Sequence, residues 1–215
     1  MAISKNELME KLTTFSYGNW HNAVIPLLTY ADKTPQFEQD AENCRLYSMF
    51  NNAYYNFAGD FTLEDVIEVK NKMKKDWIQI KDWLASPVSG AYIAEYLTEK
   101  RDLPIRHYQI DFLKDTKGFI NLLKKGVCFE MARFNTPLLY EDAHDNGQVD
   151  QLYSPKQATG RHSVNICVDG TKIKELGTRS KNSKNNIFYY DPYYFWLNVK
   201  SRAISSIFSF LAAEK

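Results

Sequence analysis

The chain is expected to fold as α+β, with helices first and an antiparallel sheet after them. Three stretches carry that expectation. Apolar residues recur at helical spacing between Phe61 and Pro87, "RHSVNICVDG" alternates before an Asp-Gly turn, and the aromatic run "IFYYDPYYFWLNV" is broken by Asp191-Pro192. Residues 1–120 read as a mostly helical lobe and residues 121–215 as a core with the sheet, the two forming one compact domain.

In chain order, "SKNELMEKL" opens a first helix, with Ser4 or Asn6 as cap and Glu7 as an early acid. In "FTLEDVIEVKNKMKKDWIQIKDWLASP", Thr62 precedes Glu64 and Asp65, as helix N-termini prefer. Val66, Val69, Met73, Trp77, Ile80 and Leu84 then form one stripe, which Pro87 is expected to end. Ser89 caps a further helix through "AYIAEYLTEK", and "GFINLLKK" forms another that stops at Gly126. A helix is then expected from Cys128 through "CFEMARFN". The polar stretch "EDAHDNGQVDQLYSPKQATG" reads as a loop. In the strand after it, Val164, Ile166 and Val168 are taken as one face and His162 as belonging to the other. "TKIKEL" is its hairpin partner, "GTRSKNSKNN" a mobile tip, and Ser201 to Ala213 a terminal helix.

Composition narrows the function. Lys and Arg number 27 against 26 Asp and Glu, so the chain lacks the basic excess that non-specific nucleic-acid binding needs. No run of 18 apolar residues exists, so no membrane span is expected. "MAISKNELMEKL" lacks a basic segment followed by an apolar one, so no signal peptide is expected. The working place is the cytoplasm, or the outside by a route needing no such peptide, as for a translocated effector. The three cysteines, Cys44, Cys128 and Cys167, show no CxxC or Cys/His ligand spacing. That argues against a disulfide framework, a metal site and any need for a cofactor. The acids around His144 match no calcium loop and read as a solvated surface.

Acyl transfer through sulfur requires a thiolate, a base for its proton and a group that orients the base. A helix N-terminus favours the thiolate and offers N–H groups to an oxyanion. Cys128 follows Gly126 and Val127 and would open a helix, so it is the expected nucleophile. His162, leading a strand, is the expected base, and Asp191 from the aromatic strand the orienting acid.

These segments, "GVC", "HSVNICVDG" and "IFYYDPYYF", resemble papain-like and transglutaminase-like cysteine hydrolases, nearest the YopT and AvrPphB type of bacterial effector protease. The resemblance covers roughly Gly126 to Trp196. It implies a helix carrying cysteine packed on an antiparallel sheet. It also implies a Cys128–His162–Asp191 triad acting on a protein or peptide, in some cases a host protein. Relatives often place a Gln or Asn upstream of the nucleophile for the oxyanion. Asn121 is the nearest such residue here, beside the backbone of Gly126, Val127 and Cys128. A protease is the first expectation, and a glutamine deamidase or transglutaminase with the same triad the second. A helical interaction module on a degenerate hydrolase core is the alternative without catalysis.

Overall fold

A computed structural model describes residues 3–16, 19–24, 33–34, 36–40, 43–58, 60–76, 86–134, 161–178, 187–193, 195–196 and 204–213. Its helices are α1 (Lys5–Phe15), α2 (Cys44–Asn56), α3 (Leu63–Lys75), α4 (Ser86–Arg101) and α5 (Thr116–Lys124). Its strands are β1 (Ala23–Val24), β2 (Ile105–Ile110), β3 (Phe129–Phe134), β4 (Arg161–Asp169), β5 (Lys172–Leu176), β6 (Ile187–Tyr190) and β7 (Ile204–Ala213). All seven strands join one antiparallel sheet, so the fold is α+β as expected. No helix among the described residues is long and apolar enough to cross a membrane.

The last strand organises the sheet. β2 lies along one edge of β7, with Ile105 opposite Ala212, while β3 and then β1 share the other edge. β4, β5 and β6 follow β3 outward. Because β1 and β2 come from the first half of the chain, the expected boundary at residue 120 runs through a sheet that both halves build.

Each face of the sheet is covered. Phe129, Met131, Val164, Ile166, Ile207 and Leu211 pack with Phe119, Leu122 and Leu123 of α5. On the opposite face, Ile105 and Phe210 pack with Leu46, Met49 and Phe50 of α2, Val66, Val69 and Met73 of α3, and Tyr92, Ile93 and Leu97 of α4. α4 approaches β2 closely at Gly90, where an added Cβ would stand 2.2 Å from His107 Nδ1. The His107 ring is buried between α4 and the sheet, stacked on Phe210 with its Nε2 2.9 Å from Glu130 Oε1.

Caps and ion pairs fix the helices to one another. Ser4 caps α1 through a reciprocal bond with Glu7, as its position suggests. At the head of α3, Asp65 accepts from the Thr62 N–H at 2.5 Å, from Tyr96 and from Lys100. Burial alone would raise the Asp65 carboxyl, but Tyr96 and Lys100 more than offset it, so its pKa lies below the ordinary value. Burial alone would likewise raise the Glu95 carboxyl, but Lys11 and Lys72 outweigh it and its pKa is lowered too. Depressed folded-state values mean stability that is present above the unfolded carboxylate pKa, about 4, and lost as pH falls through the lower folded value. A Lys100→Met variant should lose part of that acid-side slope. Urea midpoints measured between neutral pH and about pH 3 should converge with those of the parent at the acid end.

Three expected elements differ. Residues 129–134 are strand β3, not a helix opened by Cys128, because Phe129 and Met131 alternate with a buried Glu130 that hydrogen-bonds to His107. The C-terminal segment is β7, not a helix, and both of its faces are buried. Pro87 stands in the first turn of α4, where its missing N–H costs nothing, and α4 begins before Ser89. Residues 77–85, with Trp77, Ile80 and Leu84 of the stripe, lie outside the described residues, as do the His144 loop and the tip at residues 179–186.

Candidate functional site

Where β3 begins, the chain arrives from Gly126 at φ 91°, a left-handed turn that glycine adopts without strain. Cys128 therefore enters the sheet with its backbone N–H and C=O beyond the end of the ladder. Between β3 and β1, no strand among the described residues pairs with the edge of β7 at Phe210. Two amides of α2 fill this gap. Cys128 N–H donates to Asn56 Oδ1 at 3.0 Å, and Cys128 C=O accepts from Asn52, Asn56 and the Ser209 hydroxyl at 2.9, 3.1 and 2.8 Å. Phe210 N–H donates to Asn52 Oδ1 at 3.1 Å. Asn52 continues to Asn165 Oδ1, and Asn165 Nδ2 donates to the Ser48 carbonyl, both at 2.9 Å. Buried backbone groups need partners, and here side chains of one helix stand in for a missing strand.

The Cys128 side chain is fully buried with Cys167, Tyr55 and Leu176 on the α2 side of the sheet. Lys33 Nζ donates to Cys128 Sγ at 3.2 Å and to Gly126 C=O at 2.9 Å. Burial pushes the Cys128 thiol up, but the bond from Cys167 and the Lys33 ammonium outweigh it, so its pKa is lowered. The Cys167 thiol, which donates to Cys128 and is itself buried, is raised.

The expected triad is not assembled. Phe129 pairs with Ile166 and Arg133 with His162, so Cys128 and His162 attach to opposite faces of the sheet. His162 shares the parity of Val164 and Ile166 rather than opposing them, which corrects the expected facing. Cys128 extends the register to Cys167, five positions along β4 from His162, or about 17 Å. Asp191 follows β6, whose Tyr190 pairs with Ile173 and so stands level with Val168, more than about 20 Å along the sheet from His162. It is exposed and caps the turn after β6, accepting from Tyr193 N–H at 2.8 Å. Asn121 is exposed on α5, across the sheet from the Cys128 side chain, and Val127 is buried against α5. The local geometry that was expected at Cys128 is absent because Gly126 ends one helix without starting another.

It is present at Cys44. Cys44 is the first residue of α2 and is partly exposed. α2 packs along β4, and its hydrogen bonds fix the direction: Asn56 and Asn52 sit at Cys128, and Ser48 at Asn165. One helical turn further, about 6 Å, matches about two strand residues. That carries the head of α2 toward the Ser163 end of β4, on the sheet face opposite the His162 side chain. An independent contact marks the same place. Gln39 N–H donates to the Thr178 carbonyl at 2.7 Å, and Thr178 Oγ1 donates to Gln39 Oε1 at 2.6 Å; Thr178 follows β5 and extends its register to Ser163. Asn43, the residue before Cys44, makes no side-chain capping bond and instead donates to Asp40. The first N–H groups of α2 therefore lack the side-chain cap that Ser4 gives α1 and Asp115 gives α5.

Cys44 and Gln39 are the residues that sequence reasoning passed over. The usable signal is an Asn-Cys pair ahead of Leu46, Tyr47, Met49, Phe50 and Ala53, with a glutamine five residues upstream. Elsewhere, a cavity of about 470 Å³ opens between α5, the β4–β5 turn and the segment around Trp196, at the end of the sheet away from Cys44. Comparison with protein-family models, curated proteins and solved structures finds no match.

Proposed function

We propose that this protein is a cysteine-dependent hydrolase or acyl transferase acting on a protein or peptide, with Cys44 as nucleophile and His162 as base. What supports the reading is the position of Cys44 at the head of α2, a helix that packs against β4, the strand that carries His162. A cysteine-bearing helix packed on an antiparallel sheet is what the papain-like resemblance leads one to expect, with a different cysteine in the role.

In this reading, His162 takes the Cys44 proton and the thiolate attacks an amide carbonyl. The uncapped N–H groups at the start of α2 face the oxyanion that forms. Gln39 supplies a further donor: Thr178 holds its carbonyl oxygen, which orients its amide nitrogen. His162 then returns the proton to the leaving amine, and water or another amine resolves the thioester. Alternation along β4 starts the His162 side chain on the α5 side, so this reading requires the imidazole to turn around the start of the strand to meet the thiol. Asp191 has no part in this arrangement. Protease, deamidase and transglutaminase share these steps, and the papain-like likeness places protease first.

The test is the rate of iodoacetamide alkylation, followed by peptide mapping across pH. Cys44 should react faster than free cysteine, and His162→Ala should slow it. Alkylation of Cys44 at the rate of free cysteine, with no response to His162→Ala, would overturn the reading.

A further inference from the structure

Cys128 and Cys167 are left unexplained by that site, and a half-buried ammonium aimed at one of two touching thiols is not what simple core packing produces. They occupy opposed positions on β3 and β4, one residue beyond the Phe129–Ile166 pair. The backbone of Cys128 bonds to Asn52, Asn56 and Ser209 rather than to Cys167. Opposed residues that do not exchange backbone hydrogen bonds stand closest, with Cα atoms about 4.5 Å apart, within the range a disulfide spans. Lys33 Nζ lies 3.2 Å from Cys128 Sγ, and Lys174, which opposes Cys167 on β5, adds a second positive charge nearby. The two sulfurs are thus unequal: one is placed to be a thiolate and the other to remain a thiol.

We propose that Cys128 and Cys167 form a peroxide-reactive dithiol that closes to a reversible cross-strand disulfide. The Cys128 thiolate attacks one oxygen of a hydroperoxide, the O–O bond breaks, and Cys128 becomes a sulfenic acid as the other oxygen leaves as water or alcohol. The Cys167 sulfur then attacks the sulfenic sulfur, the S–O bond breaks, and the oxygen leaves as water with the Cys167 proton. The peroxide is reduced by two electrons and the cysteine pair oxidised by two. A thiol such as glutathione reverses the bond by exchange. Closure also removes the negative charge facing Lys33, on the segment that leads to Gln39. Any effect on Cys44 chemistry through that segment rests on the function proposed above, but the dithiol does not.

The experiment uses the full chain carrying Cys44→Ser, so that only the pair can respond, treated with hydrogen peroxide under native conditions. Intact mass should fall by two hydrogens, a peptide linking Cys128 to Cys167 should appear, and dithiothreitol should restore both. In the Cys167→Ser background, Cys128 should instead be trapped by dimedone as a sulfenic acid. Lys33→Met should slow closure about tenfold, the effect of one pK unit on the thiolate fraction. Unchanged mass at peroxide levels that oxidise a small thiol would overturn the proposal. So would closure that proceeds at the same rate with methionine at position 33, or oxidation of Cys128 past the sulfenic stage while Cys167 is present.

Discussion

Replacing Asn56 by leucine will lower the free energy of unfolding by about 3 kcal/mol, roughly the cost of a buried backbone donor left without a partner together with the lost bonds of the amide. The substitution keeps the side chain's branched shape and gains a few tenths of a kcal/mol of helix propensity, so a loss reports the polar network. Asn56 is fully buried, and its amide serves Cys128 N–H and C=O, Ser209 Oγ and Phe210 C=O. Cys128 C=O retains Asn52 and Ser209, but Cys128 N–H retains nothing comparable in this bonding pattern. Asn52→Leu should cost a similar amount, because Phe210 N–H and Asn165 lose their partner. The double variant should fall short of the sum, since both amides meet at one carbonyl. Urea denaturation followed by circular dichroism reads all three. A loss below about 1 kcal/mol for both single variants would mean that water enters and replaces the amides, and that the gap in the sheet is not sealed as described.

That gap also shows why the sequence disclosed some of this protein and concealed the rest. β4, β5 and β6 are legible because alternation and an Asp-Gly turn are local signals. β7 is not, because Ile204, Ile207, Phe208 and Leu211 fall at the three- and four-residue spacing of a helix. A strand buried on both faces loses its polar alternation, and nothing in the segment itself says that two layers will cover it. β3 misleads in the same way, since Glu130 reads as solvent-facing until His107, 23 residues earlier in the chain, is brought against it. The site failed for a related reason. Gly126-Val127-Cys128 has the composition of a turn into a helix, whereas Asn43-Cys44 begins one without glycine, acid or side-chain cap. The proposed site keeps the requirement of a thiol at a helix head and moves it from Cys128 to Cys44. Choosing the cysteine needed the register of α2 on β4, which only long-range hydrogen bonds reveal.

The choice has a large kinetic consequence. With an amide substrate found by incubating candidate proteins and following their intact mass, Cys44→Ala should lower turnover by a factor of about 10⁴ or more, as loss of a nucleophile does in hydrolases. His162→Ala should approach the same loss, because nucleophile and base act as a unit, and adding it to Cys44→Ala should change little further. Gln39→Ala should cost about 10²-fold, the scale of one oxyanion donor, and mostly in kcat, since that donor strengthens its bond as the tetrahedral intermediate forms. Asp191→Ala should leave turnover within a few fold, as it only caps an exposed turn at the far end of the sheet. Cys128→Ser should also retain activity, provided the protein is kept reduced. The opposite ranking, with Cys128→Ser inactive and Cys44→Ala active in equally folded proteins, would return the nucleophile to the head of β3 and require its buried thiol to be uncovered by substrate. The mass of the product separates the remaining reaction classes. Chain cleavage marks a protease, a gain of about one mass unit a deamidase, and a crosslinked species a transglutaminase, because all three follow from the same thioester and differ only in which amide enters and what resolves it.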